Sequence, residues 1–125
     1  MLQTKDLTIG YSQGKKPTPP IQKELNLQLK PRTLTTLLGI NGIGKSTLIR
    51  TLTGHLQPLQ GMITLNGRDF TSYSAAERAK EISVVLTDPI SHSNLSVLEV
   101  LQISRIPYID WKSTPTAEDT YWIEK

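Results

Sequence analysis

Gly39-Ile40-Asn41-Gly42-Ile43-Gly44-Lys45-Ser46-Thr47 is the stretch whose residue types and spacing are fit for chemistry. Gly39, Gly44, Lys45 and Ser46 satisfy G-x-x-x-x-G-K-[S/T], the pattern of a phosphate-binding loop. Glycines let backbone N–H groups close around an anion in a concave nest. A helix that starts where the loop ends adds the positive end of its dipole. Lys45 supplies a mobile point charge for β- and γ-phosphates. Ser46 supplies a hydroxyl oxygen for Mg²⁺, a hard ion that keeps several waters and leans on phosphate oxygens. The bland alternative is a glycine-rich turn that binds nothing, and the elements on either side decide against it.

A phosphate loop works only between a strand and a helix. Thr33-Leu34-Thr35-Thr36-Leu37-Leu38, apolar and β-branched, predicts a buried strand of parallel type before the loop. Ser46–Thr53 predicts a helix after it, with Leu48, Ile49 and Leu52 on one face and Gly54 as its stop. Upstream, Leu2–Ile9 ends in apolar/polar alternation and reads as a half-buried strand; Gly10–Pro20, with three prolines, reads as a loop. Leu25–Lys30 alternates strictly and predicts a strand, which together with the first suggests an antiparallel layer. Downstream, Met62–Leu65 followed by Asn66-Gly67 predicts a strand into a hairpin turn. Ser74-Ala75-Ala76-Glu77 and Ser96-Val97-Leu98-Glu99 are capping-box patterns that open helices, the second through about Ile103. Between them Ile82–Leu86 predicts a second buried strand and Thr87–Asn94 a loop. Arg105–Pro115 reads as irregular, and a further helix begins near Thr116.

Composition narrows the function classes. A chain of 125 residues suits one domain. Net charge is +3, with basic residues scattered and no aromatics interleaved among them, which argues against a nucleic-acid surface. The absence of cysteine excludes disulfides, thiolate metal sites and cysteine nucleophiles, and fits a reducing compartment. No run approaches the roughly 18 apolar residues a membrane-spanning helix needs, and Met1–Asp6 lacks the layout of a signal peptide. His55 and His92 read as surface loop residues.

From Leu2 to about Trp111 the chain resembles the N-terminal part of an ATP-binding-cassette (ABC) ATPase, the nucleotide-hydrolysing subunit of membrane transporters. Gly39–Leu48 resembles that family's G-P-N-G-A-G-K-S-T-L; Asn41, Gly42 and Thr47 go beyond the generic loop. Gly54–Gly67 resembles its G-x-x-x-P-x-x-G-x-I-x-x-x-G. The resemblance implies an α/β fold, a P-loop NTPase core with an antiparallel β subdomain and the start of a helical subdomain, residues 1–125 being part of one nucleotide-binding domain. It implies ATP and Mg²⁺ as cofactors. Gly39, Ile40, Asn41, Gly42, Ile43, Gly44, Lys45, Ser46 and Thr47 would hold the phosphates, Thr47 contacting the α-phosphate, and Tyr11 would stack on adenine. Thr87 stands where most members carry the Q-loop glutamine, a Mg²⁺ and γ-phosphate contact; it keeps an oxygen on a shorter side chain. Lys45 and Thr87 are thus the catalytic expectations, Ser46 and Thr87 the metal ones.

Asn94-Leu95-Ser96-Val97-Leu98-Glu99-Val100-Leu101 and Ser104-Arg105-Ile106-Pro107-Tyr108 resemble the branch that imports iron–siderophore, haem or cobalamin, with Ser104 in place of a glycine. The partners implied are transmembrane permease subunits and a second ATPase subunit, and the implied place is cytoplasmic, on the inner face of the cell membrane. Taken singly, Leu98, Leu101 and Ile103 read as core.

The signature L-S-G-G-Q, an apolar run ending in Asp-Glu and a switch histidine are not in the sequence, since Asp88 is followed by Pro89. The expectation is the front part of a longer ATPase, which by itself binds nucleotide weakly without turnover and self-associates through uncovered apolar surface. Alternatives are a nucleotide-binding fragment without catalysis and another phosphate-loop enzyme such as a kinase or GTPase. A guanine-reading N-K-x-D, which a GTPase would want, is absent.

Overall fold

Leu2–Ile9 forms β1, the central strand of an antiparallel sheet. The computed structural model describes residues 1–12, 18–85, 95–109 and 116–124, and the chain divides into two units, Met1–Tyr73 and Ser74–Lys125. In the first, β2 (Gln22–Leu25) and β3 (Gln28–Leu29) pair along one edge of β1. β4 (Gln60–Leu65) takes the other edge and returns as β5 (Arg68–Asp69). The return runs through Asn66 (φ 52°) and Gly67 (φ 81°), two positive-φ residues whose twist matches that of paired strands, as the Asn-Gly pair predicts.

The strand expected over Leu25–Lys30 is split in two, and Thr4 is the reason. Its buried hydroxyl donates to the Leu25 carbonyl at 2.7 Å and accepts the Leu27 N–H at 2.9 Å. A side chain thus occupies a ladder position, and Asn26 between the two halves turns to Asp6. The Asn26 amide oxygen accepts the Asp6 N–H at 2.9 Å, and its amide nitrogen donates to the Asp6 carboxylate at 3.3 Å. Asp6 sits at φ 49° where the β1–β4 register shifts. Opposite it, a Cβ on Gly61 would lie 2.4 Å from the Asp6 carbonyl oxygen, so only glycine lets the two backbones approach.

Leu7 and Ile9 of β1 are fully buried and form the core with Ile63, Leu65, Phe70 and Leu48. Leu48 comes from α1 (Lys45–Leu52), which packs on β1. The buried face of α1 is Thr47, Leu48 and Thr51, whereas Ile49, expected on that face, is 47% exposed. Thr51 fits because its hydroxyl donates to the Thr47 carbonyl at 2.8 Å, so its burial leaves no polar atom unpaired. Gly54, at φ 80°, ends the helix: its N–H donates to the Thr51 carbonyl and that of His55 to the Arg50 carbonyl.

The strand expected over Thr33–Leu38 is not formed. Leu34 is 97% and Leu38 84% exposed, and among the described residues no strand pairs with the segment. An apolar run becomes a strand only when neighbours satisfy its N–H and C=O groups and cover its side chains.

The second unit holds α2 (Ala75–Glu81), α3 (Val97–Ser104) and α4 (Ala117–Glu124). Both predicted capping boxes are present, Ser74 with Glu77 and Ser96 with Glu99. A third, not foreseen, opens α4: the Thr116 N–H donates to the Asp119 carboxylate at 2.9 Å, and the Asp119 N–H to the Thr116 hydroxyl at 3.3 Å. Asp119 is buried and also paired with Arg105 at 2.8 Å. The Thr116 hydroxyl and N–H first, and Arg105 after them, hold its carboxyl at about 2, below the usual 3.8. The Arg105 guanidinium lies 4.5 Å from the centre of the Tyr108 ring. Ile82–Val85 is not a strand, with Val85 96% exposed, and Leu86 lies outside the described residues. Leu98, Leu101 and Ile103 are exposed rather than core.

Candidate functional site

The loop of residues 39–44 leads directly into α1, and its local geometry follows from Gly44. At φ 106° and ψ 13° Gly44 is the N-cap of α1, without a side chain to cap the helix. A Cβ there would stand 2.6 Å from the Ile21 side chain, so conformation and space both require glycine. Ile21 and Gln22 thus form the floor of the loop exit, and the Gln22 amide donates to the Ile43 carbonyl at 3.1 Å. The first helical bond runs from the Leu48 N–H to the Gly44 carbonyl at 2.8 Å. The N–H groups of Lys45, Ser46 and Thr47 have no intrahelical partner, so they are donors at the positive end of the dipole.

Lys45 folds back over the loop. Its ammonium donates to the Gly39 carbonyl at 2.7 Å and to the Ile40 carbonyl at 2.9 Å. Gly39, Ile40, Asn41, Gly42 and Ile43 are exposed, so the loop is open to a ligand from solvent. Ser46 is exposed in the first turn of α1, and Thr47 beside it is buried. The Thr47 hydroxyl donates to the phenolic oxygen of Tyr11 across 3.4 Å, a long bond that ties the end of β1 to the helix after the loop. That bond is the largest cause of a Tyr11 phenol held below the ordinary tyrosine value. Desolvation opposes it, and the positive charge of Arg50 adds to it. The Tyr11 ring is 44% exposed.

The structure therefore gathers Gly39 to Thr47 and Tyr11 into one region, while Thr87 lies outside the described residues. No group of three or more His, Cys, Asp or Glu side chains fit to hold a metal occurs among the described residues. A single hydroxyl at a loop of free N–H donors fits a cation that arrives with phosphate oxygens, the way Mg²⁺ is bound. No helix among the described residues is long and apolar enough to cross a membrane. His55 bonds locally to the Thr53 hydroxyl at 2.9 Å, in line with a surface role. Three participants escape sequence reasoning: Ile21, Gln22 and Arg50. Ile21 and Gln22 precede the loop by some twenty residues without any motif. The one signal for Arg50 was its position one turn after Thr47 on the same helix.

Residues 22–125 match the family model described as ABC transporter. An uncharacterized ABC transporter ATP-binding protein of Methanocaldococcus jannaschii is 33% identical over 95% of this chain and 39% of its own length. The "probable siderophore transport system ATP-binding protein" of Bacillus subtilis is 32% identical over 99% of this chain and 43% of its own. The chain thus spans about two-fifths of the length of these relatives. Among solved structures, the post-hydrolysis dimer of an ATP-binding cassette bound to ADP and Pi superposes with a TM-score of 0.75. It covers 99% of this chain and 55% of that one at 20% identity, a likeness of fold alone.

Proposed function

The chain belongs to the ABC transporter family, and from that premise we propose that it is the nucleotide-binding front portion of a transporter ATPase. The observation that carries this reading is the loop of residues 39–44 opening into α1 with three unpartnered N–H groups and Lys45 across its mouth. In this reading Gly39, Ile40, Asn41, Gly42, Ile43 and Gly44 wrap the phosphates of ATP with backbone donors. Lys45 leaves its two carbonyls for the β- and γ-phosphates, Ser46 gives Mg²⁺ an oxygen, and Thr47 faces the α-phosphate. Tyr11 stacks on the base, and Thr87 serves at the Q-loop position. Bound Mg²⁺, held in part by Ser46, would supply neutralisation of the phosphate charge.

The whole protein, in this proposal, couples ATP hydrolysis to import, working at the cytoplasmic face of the membrane with permease subunits and a second ATPase subunit. Siderophore import as the transport class is supported by the residues around Asn94–Tyr108 and by the printed name of the Bacillus subtilis relative. The 125 residues alone would bind nucleotide without turnover, because a water-activating carboxylate and a signature segment are not among their motifs. A fluorescent ATP analogue with Mg²⁺, titrated against the chain and against Lys45→Ala, tests the site. Binding lost in the variant is expected. Equal binding by both proteins would refute the assignment of the loop, and steady phosphate release by the chain would refute the absence of turnover.

A further inference from the structure

We propose that Arg105-Ile106-Pro107-Tyr108 is a strap that holds the helices of the second unit together, with the Asp119 carboxylate as its catch. These residues belong to the stretch that resembles the importer branch, and nucleotide binding gives them no task. Helices are ordinarily ordered by an apolar face packed on a neighbour. Here the buried apolar side chains of the described residues all lie between Leu7 and Phe70. α2 and α3 bury no side chain, and α4 buries one, that of Asp119. What α4 places inside is therefore a charge.

That carboxylate is fully engaged. Arg105 donates to its Oδ1 through Nε at 2.9 Å and through a terminal nitrogen at 2.8 Å. Its Oδ2 accepts the Thr116 N–H at 2.9 Å and the Thr116 hydroxyl at 2.7 Å. The spacing of the motif serves the arginine. Arg105 closes α3, Pro107 lies early in the 3₁₀ turn Ile106–Tyr108, and the Tyr108 N–H donates back to the Arg105 carbonyl at 2.9 Å. This turn lays the Tyr108 ring 4.5 Å from the guanidinium, so the carboxylate takes the edge of the cation and the ring its face. Lys80 of α2 lies 5.7 Å from the centre of the same ring. The end of α3, the start of α4 and α2 thus meet at one arginine and one ring.

Amide hydrogen exchange on the whole chain tests the strap, with the β1 amides as internal control. The variants are Asp119→Asn, Arg105→Lys, the two combined, and Tyr108→Leu. Asparagine keeps an acceptor for Thr116 and loses the charge; lysine keeps the charge and loses the fork. Each single change should speed exchange in α4 by about 10- to 100-fold, the worth of a charged hydrogen bond. The double variant should add nothing to the larger single loss. Tyr108→Leu should speed exchange in α2 and α4 together by about 2- to 5-fold, whereas Asp119→Asn leaves α2 unchanged. Additive losses in the double variant would overturn the pairing. Parent-like protection of α4 in Arg105→Lys would overturn the fork, and an unmoved α2 in Tyr108→Leu would overturn the part given to the ring. An unprotected α4 in the parent, or a fall in β1 as large as that in α4, would overturn the strap as a whole.

Discussion

β1 and the segment Thr33–Leu38 carry three apolar side chains each, yet they end in opposite environments. β1 has β2 and β3 along one edge and β4 along the other, and its Leu7 and Ile9 are fully buried. Thr33–Leu38 has no ladder among the described residues, and Leu34 and Leu38 face solvent. The difference is not propensity, because the second segment is the more β-branched and apolar of the two. It is partners. Those of β1 come from residues 22–29 on one edge and from Gln60–Leu65 on the other, stretches distant in the chain that packing brings alongside it.

The comparison can be broken most directly by mutation of one leucine in each segment. Leu7→Ala should lower stability to urea by about 2–5 kcal/mol, the usual loss for a fully buried leucine. Leu38→Ala should stay within about 0.5 kcal/mol. Equal losses would show that the second segment is covered in solution. The ladder itself is probed at Thr4. Thr4→Val leaves the part-buried Leu27 N–H without its acceptor and should lower stability by about 0.5–1.5 kcal/mol, while Thr4→Ser recovers most of it.

A smaller effect is expected from acid. The Asp119 carboxyl titrates at about 2 in the folded chain against the usual 3.8, so its contribution is complete above the higher value. It is lost as pH falls through the lower one. Helical circular dichroism should therefore decline between about pH 4 and 2 more steeply in the parent than in Asp119→Asn. Parallel curves would remove Asp119 as the cause. The smallest change in stability is expected from Leu34→Lys with Leu38→Lys, which should instead reduce self-association in sedimentation velocity. A parent chain that is already a monodisperse monomer would show that the exposed segment is harmless.

Local signals proved dependable where their physics is local. The phosphate-loop pattern, the helix it opens, the Asn66-Gly67 hairpin and two capping boxes are each made by residues within a few positions, and all are present. Long-range facts were not legible. Nothing in the alternation of Leu25–Lys30 announces that the Thr4 hydroxyl will cut the strand. Nothing near Tyr11 announces that its hydroxyl meets that of Thr47, and the apolar face read for α1 missed that Thr51 is buried by bonding to its own helix.

The sequence by itself determined the glycine loop, its lysine and serine, the helix stops and caps, and the family to which the chain belongs. These depend on backbone conformations and hydrogen bonds that a few neighbouring side chains dictate. Tertiary structure alone decided which apolar runs become strands, which helix face is buried, and which hydroxyl holds the tyrosine. Each of those outcomes needs a partner distant in the chain, and only packing determines whether that partner arrives.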